Sequence, residues 1–214
     1  MRENNFSEKR KSLVQGMVSE GALKSREIER AFLSVKREIF FPESLGKFAY
    51  EDNAFPIGRG QTISQPSTIA VMLEMLDLHR GMKVLEIGAG SAYVLALLSK
   101  IVGLEGKVFG IEILPELKAL AEKNLKSAKC GNIELLLGNG CEGWPEKSPF
   151  DRILISAACS EIPKALESQL RENGKIVVPL GEKFSQEIVL MQKQKGFLEE
   201  KERKCCFVFV PLQC

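Results

Sequence analysis

The segment MKVLEIGAGSAY (residues 82–93) decides the fold, because it combines a short apolar strand, a glycine-rich turn and the start of a helix. Gly88 and Gly90 form the turn, and apolar residues at helical spacing follow from Tyr93. A second apolar run, KVFGIEI at residues 107–113, comes after that helix. Strands that are separated by helices run mainly parallel and are joined by right-handed crossovers. The segment therefore predicts an α/β protein with a mostly parallel sheet.

The alternation of strand and helix patterns continues towards the C-terminus. A helix opened by Pro115 is followed by the apolar runs NIELLLG, FDRILISA and KIVVPLG, with a helix over residues 162–170 between the last two. The end of the chain departs from this pattern, because QEIVLMQKQ and CCFVFVP flank Lys195-Gly196 and a charged stretch. This arrangement predicts a C-terminal antiparallel pair of strands.

The first 80 residues have a different pattern, with helices followed by a long loop. Ser25 is placed as the N-cap of a helix, Pro42 ends the helical region, and residues 50–66 are rich in Pro, Gly and small polar residues. A chain of 214 residues fits one domain. We expect a single domain over residues 1–214, with N-terminal helices and a functional loop in 1–80 and a ligand-binding α/β core with C-terminal strands in 81–214.

Composition excludes several classes of protein. The 30 basic and 28 acidic residues give a formal charge of +2 and are mixed along the chain, so no basic face for nucleic acid is expected. The start lacks an apolar signal region and no apolar run could span a bilayer, so we expect a cytoplasmic protein with no membrane partner. Six cysteines show no CxxC pair and there is one histidine, so we expect no metal site. The adjacent Cys205 and Cys206 fit a reduced strand better than a disulfide.

Two acidic residues stand at the ends of the first two strands of the core. Glu86 precedes the glycine turn by two residues, and Glu112 follows Gly90 by 22 residues. In an open parallel sheet, ligands bind beyond the carboxyl ends of the strands, and an acid at the spacing of Glu112 accepts hydrogen bonds from a nucleoside ribose. Glu86, Gly88, Gly90 and Glu112 are therefore predicted to bind a nucleoside.

The type of nucleoside follows from the residues around the turn. A dinucleotide motif GxGxxG needs glycine where Tyr93 stands, and Glu86 would repel a pyrophosphate. S-adenosylmethionine carries a sulfonium and an ammonium group, which a carboxylate beside the turn attracts. The alternative is that Gly88 and Gly90 only form a tight turn in some other α/β protein.

With these motifs in place, the sequence resembles the protein-L-isoaspartate (D-aspartate) O-methyltransferase family. The resemblance covers nearly the whole chain and extends over these segments: VKREIFFPE (35–43), AYEDNAFPIGRGQTISQPSTIAVMLEML (49–76), VLEIGAGSAY (84–93), FGIEILPEL (109–117), PFDRILISAAC (149–159), IPKALESQL (162–170) and FVPL (209–212). It implies a Rossmann-like class I methyltransferase fold. It also implies S-adenosylmethionine as cofactor and methyl esterification of isoaspartyl residues in damaged proteins and peptides. We expect the enzyme to act as a monomer.

The resemblance also assigns roles to loop residues. Ser64 matches the family's active-site hydroxyl and is expected to orient the acceptor carboxylate, while Gln61 and Thr62 are expected to contact the cofactor. From the residues alone, Ser64 or Ser67 could instead cap the following helix, with Pro66 in its first turn. For Gln61 and Thr62, packing of the turn is the alternative.

Two positions depart from the family pattern. Ala92 stands where glycine is usual, and its methyl group would be strained if the residue had a positive φ. The usual GDG is Gly138-Asn139-Gly140 here, and Asn139 and Gly140 are expected at the adenine. Trp144 could either flank the adenine or pack in the core.

Two other functions remain open at this stage. The chain could methylate another acceptor, such as RNA or a small molecule. The absence of a basic face and the presence of the loop sequence QTIS (residues 61–64) argue against this. It could also be a non-catalytic module that binds S-adenosylmethionine.

Overall fold

The structure is a computed structural model that describes residues 2–182 and 185–214. The helices are α1 (Arg2–Ser19), α2 (Arg26–Ser34), α3 (Pro66–Leu76), α4 (Tyr93–Val102), α5 (Pro115–Ser127) and α6 (Lys164–Gln169). The strands are β1 (Phe55–Gly58), β2 (Gln61–Ile63), β3 (Lys83–Ile87), β4 (Lys107–Glu112), β5 (Ile133–Leu137), β6 (Phe150–Ile155), β7 (Leu170–Glu182), β8 (Ser185–Gln194) and β9 (Phe197–Phe207). Short 3-10 helices include Arg37–Phe40 and Glu43–Phe48.

Seven strands form the main sheet in the order β5-β4-β3-β6-β7-β8-β9. The pairs from β5 to β7 are parallel, and β7 with β8 and β8 with β9 are antiparallel. The mostly parallel sheet and the C-terminal antiparallel pair are confirmed. Because β4 lies on one side of β3 and β6 on the other, the strand order reverses at β3. Such a reversal opens a crevice at the carboxyl end of the strand.

The C-terminal hairpin differs in detail from the expectation. Lys195 and Gly196 have φ values of 53° and 86° and form a two-residue turn, so β9 starts at Phe197 directly after it. The charged stretch that was expected between the strands therefore lies within β9. This strand is at the edge of the sheet, where charged side chains oppose pairing with another chain.

The expected loop over residues 50–66 contains a two-stranded antiparallel hairpin, β1–β2, so that expectation was wrong for its central part. Gly58, Arg59 and Gly60 all have positive φ and make the turn. Ile57 and Ile63 bury their side chains in the core. Composition indicated a loop because strands of three and four residues contain too few apolar side chains to show a period.

Successive side chains along each strand point to opposite faces of the sheet, so an apolar layer forms on each face. Val84 and Val108, which pair across β3 and β4, belong to the layer that also contains the N-terminal helices. Leu85 and Phe109 point to the opposite layer. The N-terminal region is thus packed on one face of the sheet, where the ring of Phe40 lies 5.4 Å from that of Tyr93.

Cysteines show one difference from the sequence-based expectation. Cys141 and Cys214 form a disulfide across 73 positions, which no local spacing signals. The other four cysteines, Cys130, Cys159, Cys205 and Cys206, are free. Within the described ranges, no group of three or more His, Cys, Asp or Glu could hold a metal ion. None of the helices described combines the length and apolar character needed to cross a bilayer.

Asp52 caps the N-terminus of α3. Its Oδ1 accepts a hydrogen bond from the backbone N–H of Ser67 at 2.8 Å, and its Oδ2 accepts one from Gln65 Nε2 at 3.0 Å. The N-cap position is Gln65, whose own side chain makes no capping bond, and Pro66 occupies the first turn. A carboxylate from the preceding segment therefore takes the capping role that the sequence offered to Ser64 or Ser67.

We expect Asp52→Ala to destabilise the fold by about 1 kcal/mol, the usual cost of a lost N-cap, and to lower Tm by a few degrees. Thermal unfolding followed by circular dichroism measures the change. Asp52→Asn retains an acceptor oxygen and should remain near the wild-type Tm. Equal destabilisation by Ser67→Ala would show that the hydroxyl shares the capping role.

Candidate functional site

The glycine turn after β3 forms the floor of the site. Gly88, Gly90 and Ala92 have φ values of 83°, 53° and 69°, so the chain reverses sharply before α4 begins. The backbone N–H groups of Gly88 and Ala89 donate to the Ile111 carbonyl at 3.0 and 3.1 Å. These bonds fix the turn against the end of β4.

Glu112 ties the tip of β4 to the turn. Its Oε2 accepts a hydrogen bond from the N–H of Gly90 at 2.8 Å, and its Oε1 accepts one from the N–H of Leu114 at 3.0 Å. Only 5% of the residue is exposed. The carboxylate is thus held in one orientation, and its remaining lone pairs can accept hydroxyl donors.

Glu86 is buried, with 1% of its surface exposed. Its Oε1 accepts a hydrogen bond from Ser156 Oγ at 2.7 Å, and its Oε2 has no partner among the described residues. The pKa of Glu86 is raised to about 8, mainly by burial; the hydrogen bond from Ser156 opposes this rise, and the charge of Glu112 adds to it. Sequence reasoning missed Ser156, whose only signal was its position directly after β6.

The two carboxylates lie on the same face of the sheet because of the strand register. Glu86 pairs with Gly110 across β3 and β4, so Glu86 and Glu112 are two positions apart in register and share one face. No lysine or arginine among the described residues forms an ion pair with either acid. The site therefore holds two acidic groups without a cation of the protein's own.

A cleft lies over the turn and the strand tips, and it is called the main cleft below because it contains both. The predicted site residues that line it are Gln61, Thr62, Gly88, Gly90, Glu112 and Gly140. An inner pocket adjoins it, and the predicted residues that line this pocket are Thr62, Ser64, Glu86, Gly88 and Gly90. Ser156 lines both cavities.

Asn139 has a different place from the other predicted residues. Its Oδ1 accepts a bond from the N–H of Cys141 at 2.9 Å, its Nδ2 reaches Glu142 at 3.4 Å, and it is not among the described residues that line the main cleft. Gly140 does line the cleft, where a Cβ atom would lie 2.3 Å from Ile87 Cγ2. Close packing on β3 therefore requires glycine at position 140.

Ala92 adopts the strained conformation that the sequence raised as one possibility. It is fully buried and has φ 69° and ψ 19°, in the left-handed region that favours glycine. Such a conformation costs about 1–2 kcal/mol for a residue with a Cβ. The turn keeps its shape because the flanking bonds of Gly88, Ala89 and Gly90 hold it.

Trp144 is partly buried and packs against the core, as one of the two alternatives expected. Its ring lies 5.6 Å from that of Phe109 in an edge-to-face arrangement, and it joins the apolar cluster on the far face of the sheet. It does not appear among the described residues of the main cleft.

Ser64 lies where the inner pocket meets a second cavity, the outer groove. The outer groove is lined by residues from the β2–α3 connection and by the segment 206–210, and it shares Thr62, Ser64 and Ser156 with the inner pocket. Ser64 is partly exposed, and its hydroxyl makes no hydrogen bond to another described residue. Ser64 therefore lies, with Thr62 and Ser156, between the outer groove and the pocket that contains Glu86.

The C-terminal segment 207–213 forms a wall between the cavities. The N–H of Ala158 donates to the Val210 carbonyl at 2.8 Å, and the N–H of Leu212 donates to the Ala158 carbonyl at 2.7 Å. Val210, Pro211, Leu212 and Gln213 line the main cleft, and residues 207–210 line the outer groove. Sequence reasoning related this segment to the family pattern but did not place it in the site.

Together these features form a two-part site. The main cleft and inner pocket offer acidic groups to a cationic nucleoside, and the outer groove offers a hydroxyl at its inner end to an acceptor.

Comparisons with known proteins agree with this arrangement. The model of the family described as "Protein-L-isoaspartate(D-aspartate) O-methyltransferase (PCMT)" matches residues 8–213. The chain is 42% identical over 219 residues to a protein-L-isoaspartate O-methyltransferase from Hyperthermus butylicus, which covers 98% of this chain and 90% of the relative.

Two solved structures are similar over nearly all of the chain. A protein-L-isoaspartate O-methyltransferase superimposes with a TM-score of 0.88 at 32% identity, covering 96% of this chain and 66% of the other. A structure from Plasmodium falciparum, assigned to the same enzyme class and in complex with S-adenosyl-L-homocysteine, has a TM-score of 0.84 at 26% identity. That match covers 95% of this chain and 98% of the other.

Proposed function

The chain belongs to the protein-L-isoaspartate (D-aspartate) O-methyltransferase family, and from this premise we propose which residues perform the family's reaction. The enzyme uses S-adenosylmethionine to methylate the free carboxylate of L-isoaspartyl residues in damaged proteins and peptides. The observation that carries the assignment of residues is the pair of buried acids, Glu86 and Glu112, which form no ion pair with a described lysine or arginine. Glu86 lines the inner pocket together with Ser64, and Glu112 lines the adjoining main cleft.

The residues present fit S-adenosylmethionine. Glu86 Oε2 is a buried acceptor without a partner among the described residues, so it suits an ammonium or sulfonium neighbour. Glu112 stands over Gly90 with free lone pairs for ribose hydroxyls. Gln61, Thr62 and Gly140 line the same cleft and are proposed as further cofactor contacts.

Asn139 is proposed to act indirectly on the cofactor side. Its side chain caps the turn that carries Gly140, so it shapes the wall of the cleft. The resemblance to the family pattern placed an acidic residue at this position, and an amide keeps the capping acceptor without the charge.

The acceptor needs little chemical activation. A free isoaspartyl carboxylate has a pKa of about 3.5 to 4, so it is already ionised and nucleophilic at neutral pH. S-adenosylmethionine supplies a methyl group on a positively charged sulfur, which makes that methyl group electrophilic. The chain's contribution is therefore to align the groups and to exclude water from them.

Ser64 is proposed as the catalytic residue on the acceptor side. Its hydroxyl has no other described hydrogen-bond partner and stands at the junction of the outer groove and the inner pocket. A single neutral donor orients the carboxylate without strongly stabilising its charged ground state. Ser64 does not serve as the helix cap, because Asp52 does.

We propose that the enzyme acts as a cytoplasmic monomer. One chain by itself supplies both acids, the glycine turn and the Ser64 hydroxyl, as a monomeric site requires. Four free cysteines fit a reducing compartment, although Cys141 and Cys214 are paired. Light scattering coupled to size exclusion should give a mass near 23.8 kDa, and a value of twice that would contradict the monomer.

The Ser64→Ala variant should lose methyl transfer to an isoaspartyl peptide. Removing one hydrogen bond to a charged acceptor is expected to lower kcat/KM by roughly ten- to hundredfold. Affinity for S-adenosylmethionine, measured by calorimetry, should stay within about twofold because Ser64 lies on the acceptor side. Labelled methyl donor with matched isoaspartyl and aspartyl peptides measures the transfer.

Ser67→Ala is the matched control, because Ser67 is on the same segment but does not line the inner pocket. Its kcat/KM should equal that of the unaltered chain. Unchanged turnover in Ser64→Ala would remove Ser64 from the mechanism. Equal labelling of both peptides, or of neither, would contradict the repair reaction itself.

Cofactor binding should depend on pH through Glu86. The pKa of this carboxyl in the free protein is about 8, whereas a bound cation favours the ionised form, so binding releases a proton below pH 8. Affinity for S-adenosylmethionine should therefore rise as pH increases from 6 to 8, by up to about tenfold per unit. Calorimetry in buffers of different ionisation enthalpy measures both affinity and proton release.

Glu86→Gln is the control for this pH dependence, since an amide does not titrate in this range. It should bind more weakly at pH 8 and show a smaller change between pH 6 and 8. Parallel pH curves for the two proteins would assign the titration to another group.

A further inference from the structure

Arg37 is a fully buried cation outside the cavities described above. Its guanidinium is sandwiched between two rings, with Cζ 4.7 Å from the Tyr93 centroid and 5.2 Å from that of Phe41. Its Nη2 donates a hydrogen bond to the backbone carbonyl of Ser64 at 2.9 Å. Nε and Nη1 have no hydrogen-bond partner within residues 2–182 and 185–214.

Burying Arg37 in this way lowers the stability of the fold. A buried guanidinium that lacks an ion pair loses its hydration, and an apolar side chain of similar size would fill the same space without that loss. Burial accordingly lowers the pKa of Arg37, and the neighbouring Tyr93, Tyr50 and Asp52 only partly compensate. We therefore explain the buried charge by the hydrogen bond that it donates to the carbonyl of Ser64.

The backbone of Arg37 is itself fixed. Its N–H donates to Tyr50 Oη at 3.2 Å, and the same oxygen accepts a bond from Arg10 Nε at 2.7 Å and donates to Glu38. Arg10 also pairs with Glu38 at 3.3 Å. The side chain of Arg37 thus extends from a backbone position that a hydrogen-bond network holds.

Arg37 contacts both halves of the active site without lining either. Tyr93 is the first residue of α4 and directly follows the glycine turn, whereas Ser64 connects β2 to α3. Through the ring on one side and the carbonyl on the other, the guanidinium sets the position of the Ser64 peptide relative to the turn. Fixing the carbonyl on the Arg37 side leaves the Ser64 hydroxyl free towards the inner pocket.

We propose that Arg37 is a positioning residue for methyl transfer, which holds the Ser64 peptide against the start of α4 so that the hydroxyl meets the acceptor carboxylate. This proposal rests on the catalytic role proposed for Ser64. Because Arg37 acts through Ser64, its effect belongs to the acceptor and to turnover, and cofactor binding should be largely independent of it.

The first test removes the charge while keeping an apolar chain of similar length. Arg37→Met should lower kcat for an isoaspartyl peptide by roughly tenfold or more, since a charge-assisted bond to the loop is lost. The affinity for S-adenosylmethionine, measured by calorimetry, should change by less than about threefold. Arg37→Lys keeps a cation but loses the planar fork, so it should recover part of the lost turnover.

A double-mutant cycle separates positioning from general damage to the fold. If Arg37 acts through the Ser64 hydroxyl, Arg37→Met should cost no more than about threefold in kcat when Ser64 is already alanine. Effects that multiply in the double variant would overturn the proposal, because they would show two independent losses. A parallel loss of cofactor affinity in Arg37→Met would overturn it too.

Arg152→Met is the matched control for the loss of a buried arginine. Arg152 is 5% exposed and its Nε donates to the Leu76 carbonyl at 2.6 Å, and its hydrogen bonds to described residues go to Leu76, Asp77 and Asp151 and not to Ser64. Arg152→Met should lower Tm and leave kcat near that of the unaltered chain at temperatures well below Tm. A loss of kcat in Arg152→Met equal to that in Arg37→Met would assign the effect to destabilisation.

The two proposals fail in different ways. If Ser64→Ala keeps full turnover, the catalytic role of Ser64 is wrong and the positioning role of Arg37 goes with it. If Ser64→Ala is impaired and Arg37→Met is not, only the role of Arg37 is overturned.

Discussion

Two carboxylates, which lie on one face of adjacent parallel strands and form no ion pair with a described lysine or arginine, are the constraint on which the site depends. The register of β3 and β4 places Glu86 and Glu112 two positions apart on the same face, so the acids converge at the point where the strand order reverses. A protein that buries acids in this way usually pairs them with lysine or arginine. Here Ser156 and the N–H groups of Gly90 and Leu114 are their partners, which leaves acceptor capacity for a cationic ligand.

The N-terminal region completes the site. Its helices pack on the same face of the sheet as the acids, and its β1–β2 hairpin brings Ser64 to the edge of the inner pocket. Asp52 caps the start of α3, which follows Ser64, and Arg37 donates a hydrogen bond to the Ser64 carbonyl. These contacts fix the backbone on both sides of the Ser64 hydroxyl, which is the support that the acceptor role proposed for this residue requires.

Nearby backbone hydrogen bonds accommodate the two departures from the family pattern, Ala92 and Asn139. Ala92 takes a left-handed conformation that costs stability, yet backbone bonds on the residues before it keep the turn in place. Asn139 keeps the capping role that positions Gly140, and its side chain points to the next turn instead of lining the main cleft. Ala92 therefore costs stability, whereas Gly140 keeps its place in the wall of the main cleft beside Asn139.

The sequence by itself determined the parallel core, the glycine turn, the two acidic strand ends and the family resemblance, because periodicity, turn chemistry and strand-end position are local properties. Only the tertiary structure decided which groups meet. Ser156 reaches Glu86 over 70 positions, Arg37 reaches Ser64 over 27, and the disulfide joins residues 73 apart. The β1–β2 hairpin and the full extent of β9 also needed the structure, because their pairing depends on neighbours distant in sequence and not on any pattern within the strand.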